Sequence, residues 1–240
     1  MSLNLKKTSL GIWKKLLELS NGTVRLLMLV EAGPRILFYG FESGQNFFKN
    51  LPPSGDRSEW QNYDEHRLWH APEKMPRSYY PDNDPVEYLW DGKVLTLKSY
   101  VEKTNQIRKE IEIELAEEGT RVSLRHKIYN EGAWNIELAA WCLSVMEGGG
   151  TAIIPQENYI PHGPNEGESF LPARPLVLWH FTTMNDPRFT WGEKYIRIKE
   201  DSSINSKQKI GLFNTKAWMA YKLGEELFIK RHDCKRGLPY

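Results

Sequence analysis

The stretch IRKEIEIEL, residues 107–115, decides the fold. Ile107, Ile111, Ile113 and Leu115 fall on one side, and Arg108, Glu110, Glu112 and Glu114 on the other. A period of two is the signature of a half-buried strand with one wet face. TRVSLRHKIY repeats the pattern, with Val122, Leu124, His126 and Ile128 inward and Ser123, Arg125 and Lys127 outward. NIELAAWCLSVM is more continuously apolar, as a central strand covered on both faces would be. Upstream, Asn21-Gly22 separates two apolar runs in LLELSNGTVRLLML, which predicts a hairpin. Downstream, PLVLWHF, EKYIRIKE, KIGLF, AWMAYKL and EELFIKR are further strand candidates. With no amphipathic helix of three turns, the expected class is an all-β sandwich.

The 240 residues are 40% hydrophobic and include nine tryptophans, enough for one sizeable core and one domain spanning residues 1–240. Thirty-two basic against 31 acidic side chains give a net charge of +1, so no one-signed field is available for nucleic acid or an anionic membrane. Cys142 and Cys234 have neither disulfide-framework nor metal-ligand spacing. Cys142, inside an apolar run, is expected to be a buried small hydrophobe. No signal-type h-region and no apolar span of about 18 residues is present, so the default expectation is a cytoplasmic protein.

EHRLWHAPEKMPRSYYPDNDPV, residues 65–86, breaks the strand rhythm. Pro72, Pro76, Pro81 and Pro85 forbid a helix and remove ladder donors, which predicts a long ordered loop lining a sugar-sized cleft. In the functional reading, His66, Arg67, His70 and Arg77 donate to hydroxyl or carboxylate oxygens, and Trp69, Tyr79 and Tyr80 offer apolar faces. In the bland reading, Arg67, Asp82 and Asn83 only brace the loop. His66 and His70 are four apart, but Arg67 stands where the HExxH motif needs its glutamate. No metal or other cofactor is expected, although His66, His70 and His162 are histidines that could converge.

Three other places invite a functional reading. MEGGGTAIIPQENY, residues 146–159, has three glycines that permit close backbone approach, but neither phosphate-loop pattern, so a wide turn is favoured. In TTMNDPRFTWG, Asp186 and Arg188 flank a proline, which an Asp-Pro turn also explains. His126, inward among aliphatic residues, reads first as a satisfied core histidine. No G-x-S-x-G elbow and no local cysteine signature supports a nucleophile.

EAGPRILFYGFESGQNFF, residues 31–48, resembles the opening of the galactose mutarotase-like (aldose 1-epimerase-like) supersandwich. The segment from Ile107 to Gly150, with its turn at Asn130-Glu131-Gly132, is similar to that fold's central meander. RLWHAPE and YYPDNDPV suggest an uncharacterised branch. The resemblance covers most of residues 15–232. It implies proton transfer at a sugar's anomeric centre, with a histidine as acid and a glutamate as base. The place equivalent to the acid holds Trp141, and the chain reaches KRHDCKRGLPY before the base is found, which suggests a C-terminally incomplete domain.

The expectation is therefore a carbohydrate-binding protein, monomer or homodimer, whose partner is a sugar or sugar acid. His66 and His70 are the acid/base candidates for an aldose 1-epimerase-like isomerase. Arg67, Arg77, Asp82, Asn83, Trp141, Asp186 and Arg188 are the substrate-binding candidates. A non-catalytic carbohydrate-sensing module is the alternative, and a purely structural loop is the third reading.

Overall fold

The computed structural model describes residues 3–52, 58–63, 65–160 and 173–234. The protein is all-β, built from antiparallel strands, and its contacts fall into two compact units, Met1–Glu147 and Gly148–Tyr240.

In the first unit, strands β1 (Asn4–Leu10), β2 (Trp13–Ser20), β3 (Val24–Leu29), β4 (Arg35–Phe41) and β5 (His66–Ala71) form consecutive neighbours in one sheet. Strands β6 (Glu87–Trp90), β7 (Val94–Lys98), β8 (Ile107–Leu115) and β9 (Val122–Asn130) form a second sheet in chain order. Strand β10 (Ala139–Ser144) returns to the first sheet beside β5. The hairpin expected at Asn21-Gly22 joins β2 to β3. Asn21 Oδ1 accepts from the N–H groups of Thr23 and Val24, and Gly22 takes a φ of 82° that suits glycine.

The alternation read in residues 107–115 holds on its apolar face, since Ile107, Ile111, Ile113 and Leu115 are all buried. Removing one such side chain from water contributes roughly 1.5–3 kcal/mol. Glu110, on the face read as wet, is buried too, 3.0 Å from Lys127 Nζ. On β9 the expected face is correct, because Leu124 lies opposite Ile113 and His126 opposite Ile111. Leu124 is nevertheless exposed, because β9 ends its sheet. For the same reason NIELAAWCLSVM is not a central strand: β10 ends the first sheet, and Cys142 is only half-buried.

Residues 65–86 are not one irregular loop. Residues 66–71 form β5, and a single 3-10 turn, Arg77–Tyr79, follows. All four prolines lie beyond the strand, so nothing in His-Arg-Leu-Trp-His opposes ladder pairing.

The second unit pairs β11 (Thr151–Pro155), β13 (Phe189–Trp191), β14 (Tyr195–Lys199), β16 (Trp218–Leu223) and β17 (Glu226–Arg231) into one sheet. Strands β12 (Leu176–Leu178) and β15 (Ile210–Leu212) make a two-stranded sheet. Every late strand candidate is thus a strand. The three glycines serve the turn into β11: Gly149 has a φ of 81°, and a Cβ on Gly150 would sit 2.4 Å from the Tyr221 ring.

Candidate functional site

Strand β5 sorts its own candidates. Opposite partners across an antiparallel ladder share a face, so His66 with Ser144, and His70 with Ala140, lie on one side. Arg67 with Leu143, and Trp69 with Trp141, lie on the other. The two histidines and Arg67 therefore do not point into one cleft.

On the histidine side, His66 is 3% exposed and both ring nitrogens are engaged. Nδ1 lies 2.7 Å from Ser144 Oγ, and Nε2 lies 3.0 Å from His126 Nε2. One imidazole must donate and the other accept, so both rings cannot be cationic in this arrangement. Such a chain relays a proton between tautomers but leaves His66 no nitrogen for a substrate. The inward phase of His126 placed it at this contact; that its partner would be His66 was not visible, because the two histidines lie on strands of different sheets, 60 residues apart.

His70 is 2% exposed, and its buried Nδ1 has no hydrogen-bond partner among the described residues. Burial, reinforced by Lys109 and Arg77 and opposed by Asp82, holds its pKa below the ordinary histidine value.

Around these strands runs a buried charge network. Lys109 Nζ lies 2.8 Å from Asp82 Oδ2 and 2.7 Å from Glu102 Oε1. Burial draws the ammonium down, but the two carboxylates outweigh it and hold the pKa above the ordinary lysine value. Arg35 Nη2 donates to Asp82 O at 3.1 Å, and Arg35 Nη1 lies 3.3 Å from Glu65 Oε1. Arg67 Nε lies 3.7 Å from the same oxygen, with its guanidinium 4.6 Å from the Trp69 ring centre. Arg35, Arg67 and Lys109 thus balance Glu65, Asp82 and Glu102, all six of them buried. Glu65, Asp82 and Gln106 all carry positive φ values, a conformation costly for residues other than glycine. Ion pairs hold Glu65 and Asp82 there, and backbone hydrogen bonds with Glu102 and Glu131 hold Gln106. Lys109 was legible in the sequence: it occupies the inward phase between Ile107 and Ile111.

The remaining loop candidates are bracing groups. Arg77 Nη2 donates to Pro72 O, and Asn83 Nδ2 donates to Glu59 O at 3.0 Å. Trp141 packs edge-on against Trp69 with 5.5 Å between centroids, and Trp69, Trp60 and Tyr79 meet one another edge-on. These rings form packing rather than an open platform, since Trp69 is 5% exposed.

In the second unit, Asp186 and Arg188 form a two-point ion pair, with Nε to Oδ1 and Nη2 to Oδ2 both at 2.9 Å. Gln208 Nε2 donates to Asp186 Oδ2, and Arg188 also donates to Ser206. The hydrogen bonds from Arg188 hold the Asp186 carboxyl well below the usual carboxylate range. The pair closes a turn.

The same unit holds a depression of about 110 Å³ whose lining includes Gln156, Glu157, Arg174, Trp191, Leu212 and Phe213. Trp191 is 38% exposed yet fixed: its indole N–H donates to Met184 O at 2.9 Å, and its ring stacks on Phe189 at 5.0 Å. Glu157 Oε1 accepts from the Thr215 N–H at 2.7 Å. Trp191, Gln156 and Glu157 stand inside stretches singled out in the sequence, but Arg174 was missed: it lies between the two stretches, and only the fold brings it to the same depression.

Among the described residues, no group of three or more His, Cys, Asp or Glu side chains is placed to hold a metal ion, and no helix is long and apolar enough to cross a membrane. His162 lies outside the described residues. Comparison of the chain with protein-family models, with curated proteins and with solved structures returns no match.

Proposed function

We propose that the chain is a carbohydrate-binding protein of mutarotase-like architecture, and that its sugar rests on Trp191 in the depression of the second unit. The observation that carries this reading is the exposed, fixed indole. A ring already held by a hydrogen bond and a stacking partner loses little freedom when a sugar's C–H face settles on it. Gln156, Glu157 and Arg174 supply hydrogen-bonding groups around that platform. The all-β fold with its early meander is compatible with the family resemblance.

Binding is better supported than isomerisation. Acid–base catalysis needs a titrating group within hydrogen-bond reach of the substrate oxygen. His66 has both nitrogens engaged and His70 is 2% exposed, so neither meets that need in this arrangement.

One proton NMR sample containing the purified chain and an aldose tests both halves. Saturation transfer to the sugar, lost in Trp191→Ala, with anomers interconverting at the rate of buffer alone, is the expected result. Faster interconversion that disappears in His66→Ala would replace the binding reading with an epimerase. Absence of transfer across a panel of aldoses and uronic acids would remove the carbohydrate reading.

A further inference from the structure

We infer that the depression of the second unit selects an anionic sugar, a uronate or another carboxylated monosaccharide, over a neutral one; this rests on the carbohydrate reading above. Arg174 carries the inference. Arg174 lines the depression, and its guanidinium makes a single hydrogen bond among the described residues, from Nη2 to the Glu193 carbonyl. No carboxylate among the described residues stands within ion-pair distance of it. Arg197 and Arg231 of the same unit likewise have no acidic partner among the described residues, so what sets Arg174 apart is its place in the depression beside Trp191.

A guanidinium presents five N–H donors in a planar fork, and that fork matches a carboxylate through two parallel bonds. Arg174 therefore has donors to offer, beside an indole that takes the apolar side of a sugar ring. Glu157 is the opposing charge in the same lining. Its Oε1 is occupied by the Thr215 N–H and hydroxyl, which fixes the carboxylate against Thr215. The volume limits the ligand too: about 110 Å³ falls well below the ~300 Å³ of an enclosing small-molecule pocket. One sugar unit is larger than that, so it would rest partly over the depression, with its carboxylate on Arg174 and one ring face on Trp191.

Titration calorimetry with glucuronate and glucose, and with galacturonate and galactose, tests the inference on the full chain. The wild type is expected to bind each acid at least about tenfold more tightly than its neutral counterpart, in keeping with a two-point charged contact. Arg174→Gln is expected to bring acid and neutral sugar to similar affinities, and Arg174→Lys to retain only part of the preference. Arg174 is exposed, so both variants should fold, which circular dichroism checks. Equal binding of acid and neutral sugar by the wild type, or a preference that survives in Arg174→Gln, would overturn the inference and leave the carbohydrate reading standing. Failure of all four sugars to bind would overturn both.

Discussion

The two units of this chain use charge in opposite ways. The first buries Arg35, Arg67 and Lys109 against Glu65, Asp82 and Glu102, and closes both nitrogens of His66 against Ser144 and His126. In the second, Asp186 is the sole charged residue classed as buried among those described, and Arg174 and Trp191 stay open to solvent. A buried ion is tolerated only when its partners satisfy it, so such groups are committed to the fold. An exposed group held by one or two contacts is positioned and still free to meet a ligand. Chemically suggestive residues in the first unit thus explain its architecture, and the plainer surface of the second is where the proposed sugar is placed.

The largest effect should come from breaking the first unit's charge balance. Lys109→Met leaves Asp82 and Glu102 facing each other without their cation, and is expected to cost about 3–5 kcal/mol in denaturant unfolding. A loss below about 1 kcal/mol would mean that the pairs hold little of the fold. The second unit depends instead on close packing at its glycine turn. Gly150→Ala puts a methyl group 2.4 Å from the Tyr221 ring and is expected to cost about 1–3 kcal/mol.

A smaller effect follows from His70, whose pKa in the folded chain lies below its ordinary value of 6.5. Its contribution is complete above pH 6.5, where both states are neutral. As the pH falls below that, the unfolded chain takes the proton first and stability drops until the folded pKa is passed. The slope for one proton is at most about 1.4 kcal/mol per pH unit. Unfolding curves collected from pH 7.5 downward should show this loss, and His70→Gln should flatten it. An unchanged slope in His70→Gln would place the acid sensitivity elsewhere.

Much of the fold was legible in the sequence, and the candidate site much less so. Period two identified β8 and β9, Asn-Gly marked the β2–β3 turn, and the late strands each announced themselves by β-branched and aromatic residues. The position of a strand within its sheet was not legible. A run such as residues 135–146 is apolar whether it lies central or terminal, and only long-range pairing sets β10 beside β5. The four prolines of residues 65–86 drew the whole stretch into a loop, although six of its residues alternate as a strand. That one reassignment splits His66 and Arg67 between opposite faces. Lys109 shows the converse: its inward phase was visible, but the carboxylates that neutralise it lie outside its strand and meet it only in three dimensions.

Amide chemical-shift mapping of the full chain during titration with glucuronate addresses the central claim most directly. Shifts are expected at Gln156, Glu157, Arg174 and Trp191, including the Trp191 indole proton, with His66, His70 and Ser144 unmoved. Shifts centred on His66, His70 and Ser144, with Trp191 silent, would contradict it and return the site to the first unit.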